Sequence, residues 1–494
     1  MSKIKKVFYN YTFISFFHTL MIISGIVGVA ILARFLGPQE YGRYNLFIFS
    51  SQLLTLLVST WVLNPAAARF SSEEYLKDNS IRKTFSSEIL IMLANAVIAG
   101  VVFYLIRGKV SVFLGFQDSF MAIFVFIYLL VCAFFNLIYF CFQGSLDFKA
   151  YGIMPLVRSL LFIFMLIAGI AVKGLFGFGF VIIVLIVSYL TSAVAFWPRL
   201  KSLCGFVYDK KQITAILAFS WPMILFSTGN FMLEWIDKYW IRMIVSVYAV
   251  GIYSAAWSLT TNFVLIPQQL YAIVLPLITA YRLEEKHDNI IFYLNKLVPQ
   301  LAFFFSLLLS IVIIFSGIFI PILYGSKYFE AVNIFIILSL SSLFMGIKYF
   351  YNPVSTVFNF IRMTGSINIS SAFLCALLNY LFIIRYGIVG AAIATTASSL
   401  IACIAVMFII NKQFKLYNFK AIYCSFPAVA VAVVCLLAKN ILADILFSLA
   451  FYYITYLIMK KRSVFSSADL VYIQRIEMPA WLRSIVVKFY GSFS

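Results

Sequence analysis

The side chains in this sequence with the greatest capacity for chemistry are charges stranded among apolar residues. Arg158 and Lys348 each lie within a long apolar run, with no acid close to them in the chain. Glu234, Lys238 and Arg242 are spaced i, i+4, i+8, which makes one stripe on a helix, and Asp237 lies beside it. His18 sits in the body of the first apolar run near Ser15 and Ser24, Glu88 opens the third, and Arg34 and Arg69 end the first and second on opposite sides. A charge at the centre of a membrane helix costs about 2.5–3.5 kcal/mol on insertion scales, so each calls for a reason. For Arg158 and Lys348 the reason is either a hydrated cavity or snorkelling to the nearer headgroups. The Glu234 stripe is either a charged lumen wall near the outer side or a salt-bridged helix end. His18 is either an interhelical hydrogen-bonding group or a titrating switch. Glu88 either binds a coupling cation or is a first-turn acid favoured by the helix dipole. Together these charges are cation-heavy, which suits an anionic cargo carrying phosphates. A cation-selective path would use Asp and Glu instead.

Other chemistry finds little material. No phosphate-binding P-loop, HExxH or GxSxG occurs. His18 and His287 are the only histidines, which leaves general acid–base catalysis poorly supplied. A membrane glycosyltransferase or polymerase working through an Asp would need a sizeable acid-bearing loop, and the longest internal connections, 65–83 and 199–214, are modest and basic or mixed. The seven cysteines fall mostly in apolar runs without a CxxC pair, and read as small buried hydrophobes. No cofactor or metal site is expected.

The elements that must position these charges are membrane helices. Of 494 residues, 64% are hydrophobic and 11% charged, with mean hydropathy +1.03. Soluble domains are about 45–50% apolar and about 25% charged, so the bilayer is the solvent. The net charge of +20 therefore reflects basic cytoplasmic loops and not nucleic-acid binding. Apolar runs of about 20 residues predict about fourteen spans: 9–34, 44–64, 84–106, 119–142, 154–173, 176–198, 215–237, 251–280, 296–322, 331–355, 364–385, 388–411, 421–438 and 441–459. Twelve is the alternative. The basic start Met1–Lys6, with no cleavage site after it, predicts a retained first helix. With the N-terminus inside, most Lys and Arg fall on the inner segments, which supports an even count with both ends cytoplasmic. An internal repeat fits the same plan. Gly42-Arg43-Tyr44 follows the first span and Gly251-Ile252-Tyr253 opens the eighth; Gly174-Leu175-Phe176-Gly177 and Gly387-Ile388-Val389-Gly390 recur at nearly the same offset. An even number of spans per unit makes this a parallel repeat. The predicted fold is thus all-α and membrane-integral, with two six-helix lobes (1–200 and 201–419) around a central cavity, an extra helix pair (420–459) and a tail (460–494). From Pro479 the tail places Trp481, Leu482, Ile485, Val486 and Phe489 on one face, suited to the headgroup plane, or is a frayed polar end.

Several segments carry a family resemblance: Arg34-Phe35-Leu36-Gly37-Pro38-Gln39-Glu40-Tyr41-Gly42-Arg43-Tyr44 after the first span, Ala66-Ala67-Ala68-Arg69 after the second, and Pro222 then Asp237-Lys238 around the seventh. Gly251-Ile252-Tyr253-Ser254-Ala255, Tyr324-Gly325-Ser326-Lys327-Tyr328 and Tyr386-Gly387-Ile388-Val389-Gly390-Ala391 complete the set, so the likeness covers roughly residues 1–411. The sequence resembles the bacterial polysaccharide-biosynthesis membrane proteins, the lipid-linked oligosaccharide (O-antigen type) flippases of the multidrug/oligosaccharidyl-lipid/polysaccharide exporter superfamily. The resemblance implies lobes that open alternately to either leaflet of the bacterial inner membrane. The implied cargo is an undecaprenyl-diphosphate-linked oligosaccharide, with Na⁺ or H⁺ as coupling ion and the polymerase and chain-length proteins of the pathway as partners. It implies diphosphate-binding cations, a role carried over to Arg34, Arg69 and Lys238, with Asp237 in the same motif; Arg158, Arg242, Lys348 and His18 come from the physical reading alone. A drug–cation antiporter of the same superfamily is the nearest rival and predicts that Glu88, Glu234 and Asp237 are essential. A structural scaffold leaves the interior charges unexplained.

Overall fold

The computed structural model describes residues 3–60, 66–116, 120–172, 176–221, 223–416, 419–438, 440–461 and 464. The expectations for Gly174, Pro222 and the tail from residue 465 lie outside them. Fifteen α-helices follow one another without a described strand: α1 Lys3–Thr55, α2 Ala68–Asp78, α3 Arg82–Leu114, α4 Phe120–Gly144, α5 Phe148–Ala171, α6 Phe178–Lys201, α7 Lys210–Ser220, α8 Met223–Ile244, α9 Val247–Leu283, α10 His287–Phe292, α11 Val298–Tyr324, α12 Ala331–Val357, α13 Ile361–Gln413, α14 Lys420–Ala438 and α15 Ile441–Lys461.

Eleven helices among the described residues are long and apolar enough to cross a membrane. Two of these, Phe16–Ser59 and Arg362–Gln413, are 44 and 52 residues long, about twice the length a bilayer needs. Each is two spans joined at a single residue. Gly37 (φ 72°, ψ 170°) divides α1 and Gly387 (φ 57°, ψ −138°) divides α13. These left-handed φ values favour glycine, because a Cβ there strains the backbone. The expected seventh span falls on α7 and the 22-residue α8, neither of which is among the eleven. Thirteen of the fourteen expected spans are thereby accommodated among the described residues, with the first-to-second and eleventh-to-twelfth loops reduced to glycine turns.

The chain divides into two compact units. The first comprises Met1–Ser258 with Leu323–Tyr328, and the second Leu259–Ile322 with Phe329–Ser494. Contact density thus assigns α7, α8 and the first turns of α9 to the first unit, whereas the repeat suggests a boundary near 200. Within that unit, α4, α5 and α6 share a core of Phe135, Ile138, Cys141, Phe142, Met154 and Ala193. The helix ends are tied by long-range acids. Asp147 accepts the Ala150 amide at 3.2 Å, capping α5, and holds Arg199 of α6 with Nε–Oδ2 2.5 Å and Nη2–Oδ1 2.9 Å. Both Glu74 carboxylate oxygens accept amides at the start of α3, Lys83 N at 2.9 Å and Thr84 N at 2.8 Å. The short α2 that carries Glu74 presses on α4, where a Cβ on Gly144 would come within 2.3 Å of the Ser71 Cβ.

One crossing in the first unit is closer than side chains allow. A Cβ on Gly42 (α1) would stand 2.0 Å from the Val247 carbonyl oxygen, and one on Gly251 (α9) 1.9 Å from that of Pro38. The two repeated Gly–x–Tyr motifs therefore meet backbone to backbone. Tyr41 packs against Tyr328 nearby at 6.3 Å between ring centroids, which shows why Leu323–Tyr328 belongs to this unit.

In the second unit, Tyr293, Phe305, Leu343, Phe350 and Met407 form the core. The Tyr293 hydroxyl donates to the Phe350 carbonyl at 2.6 Å. The last helix docks through Tyr452, whose hydroxyl lies 3.2 and 2.9 Å from Ser306 and Ser310 on α11. The cysteines are free, and all but the partly exposed Cys204 are buried, as expected of small hydrophobes.

Candidate functional site

The most heavily built charge cluster lies where α8 meets the start of α9. Asp237 and Lys238 are 1% and 2% exposed. Lys238 Nζ stands over the rings of Trp235 and Trp257, at 4.6 and 4.8 Å. It donates to the Glu234 carbonyl oxygen at 2.6 Å and lies 3.7 Å from Asp237 Oδ1. Asp237 Oδ2 accepts the Tyr253 hydroxyl at 2.5 Å, and its Oδ1 accepts the Lys238 amide at 2.7 Å. The ammonium is thus held by two indole faces, a carbonyl and a carboxylate, which together replace its water. This arrangement is not a salt bridge along the Glu234–Lys238–Arg242 stripe, one of the two readings of the sequence. Lys238 pairs with its neighbour Asp237 and not with the Glu234 side chain, which is exposed. Arg242 leaves the stripe altogether and bonds the end of α3, with Nε to Phe113 O at 2.6 Å and Nη2 to Val112 O at 2.9 Å.

Arg158 is a different kind of site. It stands ten residues after Phe148, three turns into α5, because the helix begins six residues before the expected span 154–173. Its guanidinium lies 4.6 Å over the Tyr189 ring of α6, with Tyr128 of α4 and Tyr44 of α1 also close to it. No ion pair among the described residues includes it. A partly buried guanidinium with phenol hydroxyls around it and no acid is suited to receive phosphate oxygens, with donors on both the cation and the tyrosines. Lys348, in the second unit, stands seventeen residues into α12 and donates to Asn368 Oδ1 on α13 at 3.1 Å. It too has no carboxylate partner among the described residues.

The remaining residues are scattered. Arg34 is exposed near the Gly37 turn. Arg69 is half exposed, ion-paired with Glu73 at 2.9 Å and stacked over Phe219 at 4.7 Å. The His18 ring packs on Tyr151 of α5 at 5.9 Å, and its Nε2 has no hydrogen-bond partner among the described residues. Glu88 is not a first-turn acid. α3 begins at Arg82, and Glu88 is fully buried almost two turns in, with neither oxygen partnered among the described residues. Glu74 performs the helix-end role expected of Glu88. Sequence reasoning missed Glu74, the indole pair, Tyr253 as the Asp237 partner and the tyrosines around Arg158. Trp235, three residues before Lys238, was a legible signal, since that spacing places both on one helix face. The other partners are distant in sequence.

Residues 31–333, more than half of the chain, match the family described as polysaccharide biosynthesis protein. A probable low-salt glycan biosynthesis flippase of Haloferax volcanii is 23% identical over 189 residues, which is 38% of this chain and 40% of that relative's own length. Among solved structures, the lipid II flippase MurJ in an inward closed conformation is similar with a TM-score of 0.67 at 15% identity, covering 91% of this chain and 99% of that one. An inward-facing multidrug resistance MATE transporter of the MOP superfamily is similar with a TM-score of 0.66 at 13% identity, covering 80% and 94%. The two-lobed helical fold is that of MurJ and the MATE transporters. This multi-span membrane protein belongs to the polysaccharide biosynthesis protein family.

Proposed function

We propose that the protein is a flippase that carries undecaprenyl-diphosphate-linked oligosaccharide from the cytoplasmic to the outer leaflet of the bacterial inner membrane, for surface polysaccharide such as O-antigen. The observation that carries this reading is Arg158, a cation three turns into the apolar helix α5, with tyrosines and, among the described residues, no ion-paired acid around it. Family membership and a relative named as a glycan flippase support it. In this mechanism the diphosphate docks on interior cations while the prenyl tail stays in lipid. Lobes 1–200 and 201–419 then rock and release the headgroup outward. An inside-negative potential assists by about 2.3 kcal/mol per charge per 100 mV. The protein moves its cargo without making or breaking a bond, and both termini are cytoplasmic.

Glu88, buried with both oxygens unpartnered among the described residues, favours coupling to Na⁺ or H⁺ and gives the antiporter reading its one specific support. Purified protein in liposomes separates the two. Outward movement of a defined lipid-linked oligosaccharide, lost on charge reversal of the cations, is expected of the flippase. Export of an organic cation, lost in Glu88→Gln with the cations dispensable, would replace it. Synthesis or cleavage of a glycosidic bond would exclude pure transport.

A further inference from the structure

A groove of about 720 Å³ opens in the first unit between the second half of α1, the end of α3 and the end of α8. Phe49, Leu53, Phe113, Tyr239 and Met243 line it, and its wall is almost wholly apolar. Phe113 stacks on Tyr239 at 5.9 Å and Phe49 meets Phe113 at 5.5 Å, which makes an aromatic floor. Lys109 and Arg242 are its charged lining residues, and no carboxylate lines it. Arg242 is fixed to the carbonyls of Val112 and Phe113, three and four residues beyond Lys109, so both cations stand within one turn of α3. Lys109 is 27 residues beyond Arg82, about 40 Å along α3, which is a full bilayer with its headgroups. The groove therefore lies at the end of α3 opposite its start, with both cations set among its apolar residues and Ile106 nearly one turn closer to that start. Its volume is within the range of about 300–1,000 Å³ usual for ligand sites.

We infer that this groove holds the polyprenyl tail of the translocated lipid in the outer leaflet, with its diphosphate on Lys109 and Arg242. The choice of occupant rests on the flippase reading. Two cations from separate helices, with no acid between them, match the charge of a diphosphate, whereas a phosphodiester headgroup needs only one. Holding the product by tail and phosphate after it crosses keeps it from returning with the carrier.

The test is binding and transport with the same protein. Purified full-length protein in detergent is titrated with undecaprenyl diphosphate and, separately, with phosphatidylglycerol, and bound lipid is read by native mass spectrometry. Leu53→Trp, which fills the trough, and Lys109→Gln are each expected to lower undecaprenyl diphosphate binding at least fivefold and to leave phosphatidylglycerol binding unchanged. Arg242→Gln is a weaker probe, because it also frees the end of α3. Undecaprenyl diphosphate binding that survives both substitutions, or an equal loss of both lipids, overturns the site. Liposome transport separates this failure from that of the flippase reading. Wild-type protein that moves lipid-linked oligosaccharide while the substitutions leave binding intact refutes only the groove. Wild-type protein that moves none refutes the reading beneath it, and the groove's occupant with it.

Discussion

Substituting either glycine at the α1–α9 crossing should loosen it by an amount that can be worked out. The Cβ of Gly42→Ala would lie 2.0 Å from the Val247 carbonyl oxygen, and that of Gly251→Ala 1.9 Å from the Pro38 carbonyl oxygen, against an ordinary contact of 3.4–4 Å. The obstructing atoms are backbone and cannot turn aside by changing rotamer. The helices must separate by about 1.4 Å to restore contact, and overpacking of this kind costs about 1–3 kcal/mol. In the proposed mechanism α1 belongs to lobe 1–200 and α9 to lobe 201–419, so rocking of the lobes parts this crossing and the cost falls on the closed state alone. A shift of about 2 kcal/mol raises the open population about 30-fold. Ser254, 1% exposed one turn beyond Gly251, is the reporter position. In Ser254→Cys, labelling by a membrane-impermeant maleimide should accelerate by roughly that factor when Gly42→Ala is added. Gly25→Ala is the control, since nothing lies within 4 Å of its Cβ. Unchanged labelling in Gly42→Ala, with thermal stability intact, would refute the reasoning.

Other outcomes follow from single sites. Lys238→Gln leaves the buried Asp237 carboxylate without its cation, at a cost of about 3–5 kcal/mol, and should lower the melting temperature in detergent; the double variant with Asp237→Asn should recover most of that loss. Glu74→Gln removes a charged acceptor from the two amides at the start of α3 and should destabilise by about 0.5–2 kcal/mol, read by the same melt. Burial pushes the Cys204 thiol, between α6 and α7, up to about 12. Its acid is stabilised in the folded state, so at pH 8 only about one molecule in ten thousand carries the thiolate. Alkylation at Cys204 should be negligible until the protein is unfolded, and rapid labelling of native protein at pH 8 would contradict this.

The spans were legible because a run of apolar residues as long as the bilayer is thick admits few other structures. The turns were half legible. Gly37 and Gly387 stand in recognised motifs, but only the backbone shows that one left-handed residue replaces a loop. Gly42 and Gly251 were legible as repeated signs, while their contact was not, since repetition says nothing about which surfaces meet. Charges inside the membrane were easy to find and hard to assign. Arg158 and Lys348 needed a depth, and a starting residue misjudged by a turn or two changes it. Lys238 needed Trp257, nineteen residues on, and Arg242 needed two carbonyls about 130 residues away. Glu74 takes the helix-end role expected of Glu88, because the dipole argument holds only for the first turn and Glu88 stands six residues after Arg82, where α3 begins.

The central claim is that Arg158 sits within the membrane because it meets phosphate. Arg158→Glu and Arg158→Lys in liposomes, with outward movement of a defined undecaprenyl-diphosphate-linked oligosaccharide as the readout, test it most directly. The expected result is loss of transport in the Glu variant, partial retention in the Lys variant and normal melting in both. Transport at the wild-type rate by a folded Arg158→Glu protein would contradict the account.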